Sequence, residues 1–196
     1  MGLFFKRRKA AAAGLLGLEF APQGVALAQV QRADGEAPQL LRCDYLEGQP
    51  EAQAELLRQV VADHGLSGMP VNLLLHPSAY QMFLLEAPEV PAEELRDAMR
   101  WRVKDLLSEP LEDVVIDCFS LPEDAYRGRT RMVYCVVLKK SRMNEFRSLV
   151  QQADLTLASI DITEMAFRNL GLLAGADAIN LALLRLRTSE GLISVQ

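Results

Sequence analysis

The sequence predicts a mixed α/β chain, in part α+β, and three observations carry that expectation. Residues 51–64 place Ala54, Leu57, Val60 and Val61 at helical spacing, and residues 92–107 do so with Leu95, Met99, Val103, Leu106 and Leu107. Short runs alternate apolar and other residues, as Val114, Ile116 and Cys118 do with Val115, Asp117 and Phe119. Turn residues separate these runs at short intervals.

Taken in order, residues 15–30 read as a β-hairpin turning at Ala21-Pro22-Gln23-Gly24. A third strand is expected at 39–46, after the turn-like ADGEAP. The first helix follows and Gly65 closes it. MPVNLLLHP is a short apolar strand that Pro77 ends. A self-contained segment comes next: a strand at 80–86, a helix at 92–107, strands at 113–119 and 131–139, a helix at 141–153 and a closing strand at 156–161. That β-α-β-β-α-β order is ferredoxin-like. Pro91 fixes φ at the start of the 92–107 helix, Glu93 and Glu94 sit in its first turn, and Pro110 stops it. Thr163 is expected to cap a connecting helix whose apolar face holds Ala166, Phe167, Leu170 and Leu173. NLALLRLR and GLISV then read as two strands joined at Thr188-Ser189-Glu190-Gly191.

With 196 residues, the chain can bury a real core, as one large domain or two small ones. Its 50% hydrophobic and 24% charged residues are ordinary for a soluble globular protein. A formal net charge of −5 argues against a general nucleic-acid binder. Cys43, Cys118 and Cys135 each lie in an apolar strand-like run, where a small buried thiol is expected, in keeping with a reducing cytoplasm. No apolar run approaches the length of a membrane span. In MGLFFKRRK the apolar residues precede the charges, the reverse of a secretory signal. Two readings of this tail stand: a disordered terminus, or contact of Leu3, Phe4 and Phe5 with an anionic membrane surface.

Residues 98–138 carry a resemblance. The helix reading Ala98-Met99-Arg100-Trp101, the run LEDVVID after Pro110, the segment LPEDAYRGR and the strand MVYCVV resemble the PilM-like proteins of type IV pilus assembly. Within them, LPEDAYRGR and the MVYCVV strand more closely resemble the MshI group of the mannose-sensitive haemagglutinin (MSHA) pilus. The likeness runs from about residue 14 to residue 195. It implies the actin-like (RNase H-like) ATPase fold. Residues 14–77 and 155–175 would form subdomain 1A, and 78–154 a 1C subdomain of the FtsA and PilM type. The last strand of 1C stays open to assignment to 1A. Residues 1–13 would be a basic tail, and 176–196 the first hairpin of a second lobe whose remainder the family's greater length implies.

In ATP-binding members two hairpins hold the phosphates, and each bears an aspartate that positions the metal. The family's first hairpin reads D-x-G-S-S-S-x-K. This chain has Glu19, Phe20, Ala21, Pro22, Gln23, Gly24, Val25 and Ala26 there. Pro22 removes an N–H, Gln23 and Gly24 replace hydroxyls, and Ala26 stands in for the lysine. In the second hairpin the aspartate position falls on Arg185 and the glycine on Arg187. A guanidinium cannot ligate Mg²⁺. The arginines could meet a phosphate or a carboxylate, or face solvent or a partner. The resemblance therefore implies a degenerate site with no catalytic residue, no metal ligand and no resident cofactor, ATP and magnesium included.

His64 and His76 lack Cys or carboxylates at metal spacing, so helix-end and loop roles are expected of them. Ser78 and Ser141 have no nucleophile-elbow context. The charges of 93–113 read as a solvated, salt-bridged surface. Trp101 is open to two readings, core packing or an interface anchor.

By resemblance, the chain is expected to be a cytoplasmic adaptor, peripheral to the inner membrane, that takes the N-terminal tail of a PilN-like protein between 1A and 1C. Trp101 and Tyr80 are the flanking candidates. An ATP-dependent switch and a GspL-like type II secretion adaptor are the alternatives.

Overall fold

A computed structural model of the chain describes residues 14–121, 131–173, 181–187 and 190–195. The chain forms two compact units: one runs up to His76 and resumes at Ser148, and the other is Pro77–Arg147.

The first unit is built on a five-stranded sheet in the order β3-β2-β1-β4-β8. Strands β1 (Leu15–Ala21) and β2 (Gly24–Gln31) form the expected hairpin, closed at the pair Ala21–Gly24. Only glycine fits at 24, because a Cβ there would lie 2.5 Å from the Leu46 carbonyl oxygen and 2.8 Å from the Tyr45 ring. Strand β3 (Gln39–Glu47) is an antiparallel edge. Helix α1 (Pro50–His64) then crosses to β4 (Pro70–Leu75), which pairs in parallel with β1. Pro50 sits at the start of α1. Gly65 ends it at φ 65°, with the Leu66 N–H bonded to the Val61 carbonyl, a left-handed cap suited to glycine. Leu16, Leu18, Leu27, Leu57, Val61, Val71 and Leu73 make the core of this unit, each at most 2% exposed.

The second unit enters the chain between β4 and β8. It is a three-stranded antiparallel sheet, β5-β7-β6, of β5 (Tyr80–Glu86), β6 (Val114–Ser120) and β7 (Met132–Lys139). Helix α2 (Leu95–Lys104) covers one face, packing Met99 and Val103 on Val114, Ile116, Val133, Cys135 and Val137. Helix α3 (Lys140–Gln152) follows β7 directly, and the boundary between the units falls within it. Strand β8 (Thr156–Ile162), helix α4 (Thr163–Leu173) and the separate pair β9 (Ala182–Leu186) and β10 (Gly191–Val195) complete the chain.

Several expectations are corrected. The closing strand of the ferredoxin-like order pairs in parallel with β4, so the small sheet has three strands and β8 belongs to the larger one. Helix α2 is shorter than residues 92–107. Three-residue turns, such as Glu94 N–H to Pro91 and Leu106 N–H to Val103, flank it at both ends and absorb the missing residues. Leu106, Leu170 and Leu173 are exposed rather than buried. Thr163 is the first residue of α4, and its hydroxyl donates to the Leu75 carbonyl 3.0 Å away, tying the helix to the end of β4. Cys43 is exposed, because on the edge strand β3 it shares a face with Leu41 and Tyr45. The 1–13 tail, most of LPEDAYRGR and the turn residues Thr188 and Ser189 lie outside the described residues.

Candidate functional site

Within the first unit, the two hairpins singled out by their sequence meet. Pro22 and Gln23 are the two turn residues between β1 and β2. Gln53, on the inward face of α1 and 4% exposed, donates its amide to the Ala21 carbonyl at 2.7 Å and more weakly to Gly24 and Gly48 at 3.4 Å. The Gly48 N–H in turn bonds to the Gln23 carbonyl at 3.0 Å. The turn is thus held from outside by the residues that lead into α1. The apolar stripe of the sequence runs through Ala54 and passes over Gln53. Yet Gln53, Leu57 and Val61 are the α1 residues that are buried, and their four-residue spacing was the available signal.

Glu19 lies on β1 three residues before the turn, 5% exposed among apolar neighbours. A buried carboxylate needs a cation or several donors. Arg187, just past β9, supplies one: its Nη2 stands 2.6 Å from Glu19 Oε2. Its Nη1 lies 3.4 Å from Glu190 Oε1, and its backbone N–H bonds to the Glu190 carbonyl at 2.8 Å. Arg185 Nη2 donates to the same Glu190 Oε1 at 3.0 Å, and His76 Nε2 stands 3.8 Å from Glu190 Oε2. The Glu19 carboxylate, through its bond and its charge, holds the Arg187 guanidinium above its ordinary range; Glu190 adds to this. Two guanidinium groups and two carboxylates therefore balance. Glu19 Oε1 and Arg185 Nε are buried without a hydrogen-bond partner.

Of the sequence alternatives for the two arginines, the carboxylate is the one realised. Their solvent-facing reading is corrected: β9 turns Arg185 and Arg187 toward Glu19 and Glu190, leaving their side chains only 19% and 32% exposed. This donor set does not fit a magnesium–phosphate group. One oxygen of Glu19 is already taken by a guanidinium, which would repel a divalent cation beside it. Pro22 offers no N–H, and the Ala21, Gln23 and Gly24 carbonyls are engaged.

The other candidates lie in the second unit. Trp101 projects from α2 with 66% of its surface exposed, and Lys104 Nζ lies 5.6 Å from its ring centroid, so the core-packing reading is corrected. Tyr80 begins β5 and, with Ser78, Leu107, Glu109 and Lys139, lines an open cleft of about 330 Å³. Lys139 and Glu109 pair across it. Among the described residues there is no group of three or more His, Cys, Asp or Glu suited to a metal, and no helix long and apolar enough to cross a membrane.

A sheet with three antiparallel strands on one side, two parallel strands on the other and an inserted unit between β4 and β8 defines an actin-like ATPase fold. No protein-family model matches the chain, and no curated protein does. Solved structures do. The PilM–PilN type IV pilus biogenesis complex superposes with a TM-score of 0.72 at 18% identity, over 93% of this chain and 61% of that one. The cytoplasmic domain of EpsL, an inner-membrane component of the type II secretion system of Vibrio cholerae, gives 0.58 at 13% identity, over 92% and 71%. A Bacteroides thetaiotaomicron protein with an actin-like ATPase fold gives 0.50 at 11% identity, over 93% and 65%.

Proposed function

We propose that this chain is a non-catalytic adaptor of a type IV pilus inner-membrane platform, of the MshI kind. In this reading it is cytoplasmic, peripheral to the inner membrane, and binds the N-terminal tail of a PilN-like membrane protein. It uses neither ATP nor magnesium. The observation that carries the reading is the Glu19–Arg187 pair, an ionic contact at the place where this fold otherwise brings two phosphate-binding hairpins together. The pair supplies internally the positive charge that a nucleotide's metal would bring. The likeness to a PilM–PilN complex supports a PilN-like partner. An extended tail can be held by backbone pairing and side-chain pockets, and needs no catalytic group. The EpsL likeness favours a second reading, in which the same adaptor role serves a type II secretion platform.

Calorimetry with Mg-ATP, with and without a synthetic N-terminal peptide of a PilN-like protein, tests the reading. The expected result is peptide binding of equal affinity in both conditions and no heat from ATP alone. Micromolar ATP binding, or peptide affinity that shifts with ATP, would overturn it in favour of a nucleotide switch. A type II secretion adaptor would instead take the tail of the corresponding secretion protein and leave the pilus peptide unbound.

A further inference from the structure

In the second unit, Cys118 on β6 and Cys135 on β7 are direct cross-strand partners. Both are free thiols, and their Sγ atoms stand 3.0 Å apart. Directly opposed residues of an antiparallel pair have Cα atoms about 4.5 or 5.5 Å apart, according to the hydrogen-bonding of the pair. Both separations fall within the roughly 4.4–6.8 Å that a disulfide spans, so neither strand has to move far for the sulfurs to join. The two thiols differ in access. Strand β7 is central, flanked by β5 and β6, and Cys135 is 0% exposed beneath α2. Strand β6 is an edge, and Cys118 is only partly buried against the same cluster. Cys43, exposed on β3 of the other unit, has a different setting.

We infer that Cys118 and Cys135 form a redox-modification site, a dithiol that a low-molecular-weight disulfide such as oxidised glutathione converts to an intramolecular disulfide. Cys118, the reachable sulfur, gives up its proton and attacks one sulfur of the small disulfide, a slow step because the bond to Cys135 and burial hold its thiol above the ordinary range. The reagent's S–S bond breaks, and the first small thiolate leaves and takes up a proton. Cys135 then loses its proton and attacks Cys118 Sγ. The mixed disulfide breaks and the second small thiol departs. The balance is one small disulfide reduced to two thiols and two protein thiols oxidised to one disulfide. The product ties the edge strand to the central strand beneath Met99 and Val103, across positions 17 residues apart.

The test equilibrates the folded full chain and its Cys43→Ser variant in buffers of graded reduced-to-oxidised glutathione, quenches with an alkylating reagent, and reads intact mass and peptide maps. The expected result for Cys43→Ser is one cross-linked 118–135 peptide per chain, no retained glutathione and full return to two thiols under excess reductant. In Cys43→Ser/Cys135→Ala, where the second attack is impossible, Cys118 should retain one glutathione. A Cys43→Ser chain that keeps two alkylatable thiols across the whole series would overturn the inference. So would a glutathione retained on Cys118, or a cross-link that forms only in urea.

Discussion

Arg187 Nη2 stands 2.6 Å from Glu19 Oε2, joining two hairpins whose charged residues are 168 positions apart. The pair makes sense of two sequence oddities at once: an acid buried in a strand, and an arginine at the turn of a short apolar hairpin. Each residue is costly alone and tolerable with the other.

Replacing one partner should therefore cost more than replacing both. Arg187→Leu leaves Glu19 buried without its cation and is expected to lower unfolding stability by about 2–3 kcal/mol. Glu19→Leu/Arg187→Leu is expected to recover more than half of that loss. Urea unfolding of these two variants and of Glu19→Leu beside the parent chain measures it. Strict additivity of the single losses would refute the coupling.

The buried Gln53 amide is expected to matter as a tie between α1 and the β1–β2 turn. Gln53→Leu keeps the volume but strips the Ala21 and Gly24 carbonyls of their donor, for a loss of about 1–2 kcal/mol. Hydrogen exchange should rise at residues 21–25 more than in the second unit.

Gly24→Ala is expected to destabilise by about 1–3 kcal/mol, because the new Cβ would press on the Leu46 carbonyl and the Tyr45 ring. A melting temperature within a degree of the parent's would show that β3 can yield there.

Two residues of one helix should behave oppositely. Met99→Ala, in the core of the second unit, is expected to cost about 2–5 kcal/mol. Trp101→Ala, two-thirds exposed, should stay within about 0.5 kcal/mol of the parent. On the adaptor reading, Trp101→Ala should weaken tail binding at unchanged stability, which calorimetry at equal folded concentration detects.

Much of the architecture was legible because its signals are local. The β1–β2 hairpin, α1 with its glycine end, and the β5, β6 and β7 strands follow from alternation, helical spacing and turn residues. The chemistry of single hairpin residues was legible too, since proline lacks an N–H and arginine cannot ligate a metal wherever they fold. The length of α2 was not. The apolar pattern of residues 92–107 continues through turns whose three-residue hydrogen bonds depend on Pro91 and on the packing of Val103. Leu170 and Leu173 failed for a related reason: helical spacing marks a face but does not supply a surface to cover it.

The sequence by itself determined the kinds of most elements and their order along the chain. Only the tertiary structure decided that β8 joins β4, that Gln53 holds the first turn, and that Arg187 meets Glu19. These are pairings between distant segments. Many partners of equal chemistry compete for them along the chain, and burial together with sheet register selects one.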